Sequence, residues 1–140
     1  MTTWIIYALL SAFFAALVAI FGKIGLSGVD TTFATTIRAI IMATFLVVVS
    51  VMLGKLDFSS SLSGKALAFI ALSGIAGALS WLFYFSALKI GPAPAVAALD
   101  RLSVVFVLVL ALLFLGEHLT WKNGFGALLV ATGAILMVLQ

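Results

Sequence analysis

The sequence predicts an all-α integral membrane protein, a bundle of five transmembrane helices. Three observations carry this. Hydrophobic residues make up 66% of the 140 and charged residues 8%, where soluble domains usually carry about 25% charged residues. The mean hydropathy is +1.42. The apolar residues gather into five long segments, joined by short connections rich in Gly, Ser, Asp and Lys, as helix-ending segments should be. The whole chain reads as one domain.

The 7 basic and 4 acidic residues are dispersed at the ends of apolar runs. Nucleic acid needs clustered Lys and Arg on one face, so it is excluded as a partner. With no cysteine, disulfides, thiol chemistry and thiolate metal sites are excluded too.

The first segment, residues 4–22, has no basic n-region and is long enough to span, so it reads as a retained helix rather than a cleaved signal. The second covers residues 33–53. Its purely apolar part, 39–53, is only ~22 Å long as a helix, against a hydrocarbon core of about 30 Å. Arg38 and some of Thr31, Thr32, Thr35 and Thr36 are therefore drawn towards the bilayer. Thr31, Thr35 and Arg38 share a face at i, i+4 and i+7. Two readings stand level: an arginine snorkelling to the headgroups, or the lining of a polar cavity.

The third segment, residues 66–88, places Ser73, Gly77, Ser80 and Tyr84 on one stripe, with Trp81 and Phe85 to one side. Trp81 and Tyr84 read as interfacial anchors or as cavity lining. Trp81 lies ~12 Å along the axis from Lys89, deep for an anchor, which favours the lining.

The fourth segment runs over residues 93–115. Its uninterrupted apolar run, 102–115, is only ~21 Å long, so Asp100 and Arg101 enter the membrane or lie against it. An ionisable residue there costs at least ~2.5 kcal/mol on insertion scales and is by default a functional-site hypothesis. Asp100 and Ser103 share a face, while Arg101 points about 100° away, so the two charges need not pair with each other. If five spans alternate, Arg38 and Arg101 lie on the same membrane side, and a structural ion pair between Asp100 and Arg38 is the alternative to a functional Asp100.

Glu117 and His118 read as solvated or as capping the fifth segment, residues 124–139. No catalytic triad, metal cluster or phosphate loop is present, so no enzyme and no cofactor is expected. Small residues should hold the bundle together, because lipid-embedded helices gain little from hydrophobic contact. Candidates are Ala8, Ala12 and Ala16 on the first helix with Ser11, Ala15 and Ala19 beside them, Gly74 and Ala78 on the third, and Gly126, Gly133 and Ala134 on the fifth.

Alternating spans put Lys55, Lys65 and Lys122 on the side of the N-terminus and Lys23, Arg38, Lys89 and Arg101 on the other. The positive-inside rule orients a chain by such a difference, and here it nearly vanishes. Insertion in both orientations, and hence an antiparallel homodimer, is therefore allowed.

These residues resemble the EamA-type domain of the drug/metabolite transporter superfamily. The resemblance covers essentially the whole chain: Phe21-Gly22-Lys23 closing the first helix, Arg38 opening the second, Ala87-Leu88-Lys89-Ile90-Gly91-Pro92-Ala93 between the third and fourth, and Leu115-Gly116-Glu117 with Leu119-Thr120 after the fourth. Gly126 and Gly133 on the last helix fit as well. Most members carry two such domains as an inverted repeat of ten helices. This chain has one copy, and it has Ser103 about where many members have a proline; Asp100-Arg101-Leu102-Ser103 is more similar to the single-domain, five-helix branch.

The resemblance implies half of a ten-helix inverted-repeat transporter, completed by homodimerisation in the inner cell membrane. The expected function is alternating-access export of a small-molecule substrate, a metabolite or drug. Arg38, Thr35, Ser80, Trp81, Tyr84, Asp100, Arg101 and Ser103 are the expected binding or translocation residues, with Asp100 the candidate for proton or cation coupling. An accessory membrane subunit without transport of its own is the alternative.

Overall fold

A computed structural model describes residues 3–56, 63–116 and 118–139. The centre of the connection between the second and third segments, and Glu117, lie outside them. The described residues form helices joined by turns, with no strand among them. All five apolar segments fall on helical rods, and four of these rods are long and apolar enough to cross a membrane.

Helix α1, Thr3–Gly25, is 23 residues long, or ~35 Å, enough for the ~30 Å hydrocarbon core. The chain then turns through Gly28, whose φ of 76° suits glycine. Helix α2, Thr31–Met52, starts two residues before the apolar run because Asp30 caps it, accepting from the Phe33 amide at 3.0 Å. Its far end is a Schellman motif. Gly54 sits at φ 63°, its N–H donates to Val51 O, and the Lys55 N–H donates to Ser50 O at 2.9 Å.

Helix α3, Gly64–Ile90, is the longest at 27 residues. The Ser63 hydroxyl accepts from the Ala66 amide at its start. The helix stops just before Gly91-Pro92, because proline disfavours helical geometry in the residue preceding it.

The fourth segment is helical throughout Ala93–Leu115 but not uniformly so. Helix α4, Ala93–Asp100, passes into α5, Ser103–Leu110, through a tight turn. There the Arg101, Leu102, Val104 and Val105 amides donate to carbonyls three residues back. Helix α5 then widens into a π-helical turn, Ala111–Leu115, which Gly116 ends in the left-handed region, its N–H returning to Ala111 O. One span thus contains both a tightened and a widened turn, irregularities often found at hinges and functional sites.

Helix α6, Trp121–Leu136, starts three residues earlier than the apolar run, since the Thr120 hydroxyl caps it through the Asn123 amide. At 16 residues it is ~24 Å long, shorter than the hydrocarbon core.

The chain divides into two compact units, Met1–Lys23 with Ile90–Gln140, and Ile24–Lys89. In the first, α6 packs on α4 and α5, and the buried residues among those described are all alanines: Ala19, Ala95, Ala127 and Ala134. Close backbone approach at small residues holds membrane helices together, as expected. Of the small residues expected to pack, Ala19 and Ala134 are buried, whereas others are not. Ala8, Ala12 and Ala16 are exposed, and an added Cβ at Gly74, Gly126 or Gly133 would meet nothing within 4 Å. In the second unit the buried residues among those described are Leu26, Thr35, Phe85 and Leu88, all near the start of α2 or the end of α3.

Candidate functional site

Two side-chain contacts join the start of α2 to the end of α3. The Lys89 ammonium, in the last turn of α3, donates to the Val29 carbonyl at 2.8 Å, just ahead of the Asp30 cap. About two turns further in, Arg38 of α2 meets Trp81 of α3. The guanidinium carbon lies 3.5 Å from the centre of the indole ring and 5.3 Å from that of Phe85.

The rings form one cluster. Trp81 meets Tyr84 edge-on at 5.5 Å and lies tilted against Phe85 at 5.5 Å, while Tyr84 and Phe85 are 6.1 Å apart. Positions 81, 84, 85 and 88 recur at the spacing of one helix face, and Leu88 at the end of that face is fully buried. A cation over an indole is attracted by the ring's negative face, by ~2 kcal/mol or more where water is excluded. The guanidinium carbon sits over the indole ring. The guanidinium N–H donors lie in that group's own plane, in the fork that suits a carboxylate or phosphate. Asp30 is committed to the α2 cap, so no described carboxylate of α2 or α3 serves as the counter-ion.

Of the eight site residues expected from the sequence, Arg38, Trp81 and Tyr84 come together here. Thr35 is one turn away on α2 and buried. The Thr35 and Thr36 hydroxyls donate within their own helix. Thr35 Oγ1 donates to Thr31 O at 2.7 Å and Thr36 Oγ1 to Thr32 O at 2.8 Å, turning both protons onto the helix. Ser80 is exposed. Phe85, which the sequence sets beside the polar stripe, belongs to the cluster; its signal is its place one turn from Trp81 in an aromatic run.

Asp100 and Arg101 belong to the other unit and pair with each other, Arg101 Nη2 to Asp100 Oδ2 at 3.3 Å. The sequence alone leaves this pairing open. The helical wheel places Cβ atoms, whereas the long arginine side chain reaches back round the tight turn. Both side chains stay partly exposed, at 37% for Asp100 and 51% for Arg101. Ser103 opens α5 and is exposed. In the same unit the Lys23 ammonium donates to Gly91 O at 2.7 Å, holding the end of α1 to the Gly-Pro turn. His118 is exposed and, with Asn123, stands at the polar end of an open cavity of about 180 Å³ whose walls include Val104, Val107 and Ala111. Among the described residues, no group of three or more His, Cys, Asp or Glu could hold a metal ion.

Four helices long and apolar enough to cross a membrane define a helical, multi-pass membrane protein. The chain belongs to the EamA-like transporter family, which matches residues 2–139. It is 43% identical over 135 residues to a protein of Sinorhizobium sp. named "Uncharacterized transporter in cobO 3'region", covering 96% of each chain. No solved structure matches. Family and relative together make this a small transporter and not an enzyme, so the bilayer is its setting and a small molecule its cargo.

Proposed function

We propose that the chain is a secondary exporter of small metabolites or drugs carrying an anionic group, and that Arg38 is the residue that receives this group. The observation carrying this reading is the guanidinium 3.5 Å above Trp81. An arginine that merely snorkels reaches for the headgroups; this one lies over an indole about two turns inside its helix, and in this reading its planar fork of donors takes a planar anion. Tyr84, Phe85 and the buried Thr35 shape the surrounding wall, and Ser80 lies one residue from Trp81 on α3.

The chain works in this reading as one five-helix domain of the inner cell membrane, with α6 as the fifth span. Two copies in antiparallel arrangement complete the ten-helix inverted repeat and alternate access to the site. The near-equal distribution of Lys and Arg between the two sides and the open glycine positions on α3 and α6 support pairing. Asp100, bound to Arg101 in a partly exposed ion pair, is the group through which a proton or cation is coupled, with Ser103 beside it.

The test is uptake into inside-out vesicles from cells expressing the chain, screened over a panel of anionic and neutral metabolites and drugs. Substrates should carry a carboxylate or phosphate, and Arg38→Ala should abolish their transport while folded yield stays level. Transport that persists in Arg38→Ala removes Arg38 from the site. Equal loss of folded protein and transport would instead favour the accessory-subunit reading.

A further inference from the structure

We propose that Lys89 is a positioning residue, whose ammonium sets the register of α2 against α3 and so holds the Arg38 guanidinium over Trp81. Lys89 donates to the Val29 carbonyl at 2.8 Å, across 60 residues of chain. Val29 stands immediately before the α2 cap, and the first turns of that helix are stiff. The Asp30 side chain accepts from the Phe33 amide at 3.0 Å, its carbonyl accepts from Ala34 at 2.9 Å, and Thr35 Oγ1 donates to Thr31 O at 2.7 Å. A force applied at the Val29 carbonyl therefore moves the first turns of α2 as one body, Arg38 included.

Register matters here because of how the second contact is made. One residue of slip along a helix is 1.5 Å of rise and about 100° of rotation, enough to take a guanidinium off an indole face that it approaches to 3.5 Å. A ring stack alone constrains sliding poorly, since the attraction of a cation for a ring face has no fixed donor and acceptor atoms. A hydrogen bond from an ammonium to one carbonyl does have them. Lys89 also sits in the last turn of α3, where the helix dipole favours a cation, so the anchor is itself held at its helix end.

The meaning for transport rests on the anion-site reading above, but the positioning is measured without substrate, so the two fail separately. Trp81 becomes the sole tryptophan of the full chain once Trp4 and Trp121, both strongly exposed, are replaced by Phe. In that background, reconstituted in nanodiscs, the Trp81 emission maximum and its quenching by acrylamide report whether the ring face is covered. Arg38→Ala should uncover it. Lys89→Met should shift both signals in the same direction, Lys89→Arg should restore them, and Lys89→Met on top of Arg38→Ala should add no further change.

Folded Lys89→Met with an unchanged Trp81 signal overturns the proposal. So does a Lys89→Met shift of equal size with and without Arg38, the pattern of general loosening. If Lys89→Met yields no folded protein, Lys89→Ser, which stays polar but ends several bonds short of the Val29 carbonyl, is read by the same criteria.

Discussion

The guanidinium of Arg38 lies on the indole of Trp81, 3.5 Å from its centre, with Phe85 at 5.3 Å. The stack separates charge from geometry. Arg38→Lys keeps the cation but replaces a planar fork with a compact, strongly hydrated ammonium. A cation–π contact is worth ~0.5–2 kcal/mol, and about 1.4 kcal/mol corresponds to a tenfold change, so Arg38→Lys and Trp81→Leu should each lower transport about tenfold, with Trp81→Phe milder. Initial rates in vesicles, normalised to folded protein by fluorescence-detected gel filtration, check this. Unaltered rates in both Arg38→Lys and Trp81→Leu would remove the stack from the transport cycle.

Asp100 allows a second separation. Its bond to Arg101 is partly exposed on both sides, and such pairs contribute roughly 0–1 kcal/mol. Asp100→Asn should therefore leave folded yield and thermal stability close to the parent. Transport should lose its response to an imposed proton or cation gradient, because the titratable carboxylate is gone. A variant that responds to gradients like the parent would make the pair structural.

Helix existence was legible throughout, because each apolar run is long enough to force the choice. Boundaries were less so. The apolar pattern starts at Phe33 and Gly124, but Asp30 and Thr120 begin helices α2 and α6 earlier, and a cap is one residue whose effect extends the helix by several. Within the candidate site, Arg38, Trp81 and Tyr84 stood out because polar or amphipathic groups in an apolar helix need a reason. Their mutual contact did not stand out, since it depends on the register of α2 against α3, which Lys89 and Val29 fix across the fold. The tight and π-helical turns of the fourth span were also invisible: Leu, Val and Phe fill them as they would a regular helix. The same uniformity hid the reach of Arg101 to Asp100, for a wheel drawn on regular geometry sets the two side chains apart.

Gly54 closes α2 at φ 63° with nothing within 4 Å of an added Cβ. Gly54→Ala therefore meets no clash, only the left-handed backbone penalty of roughly 1–2 kcal/mol. The expected result is a lower unfolding midpoint with transport per folded molecule unchanged. A neutral effect on stability would mean that the Schellman turn relaxes without loss.

The glycines of α6 give the sharpest test of pairing between copies. Ala127 and Ala134 are buried within the chain's own unit, whereas Gly126 and Gly133 lie one residue earlier, about 100° round the helix, and face open space. In an isolated chain, Gly126→Ala and Gly133→Ala should stabilise the helix by about 0.5–1 kcal/mol each. A second copy seated on that stripe reverses the outcome for larger side chains, because close backbone approach at small residues is what membrane helices use to associate. Gly126→Leu with Gly133→Leu should then convert a dimer into a monomer by light scattering in mild detergent, and transport should fall with it, while Ala127 and Ala134 keep the single chain folded. If the doubly substituted protein scatters as the parent does and transports at the parent's rate, the two copies do not meet along α6, and antiparallel pairing must use another face.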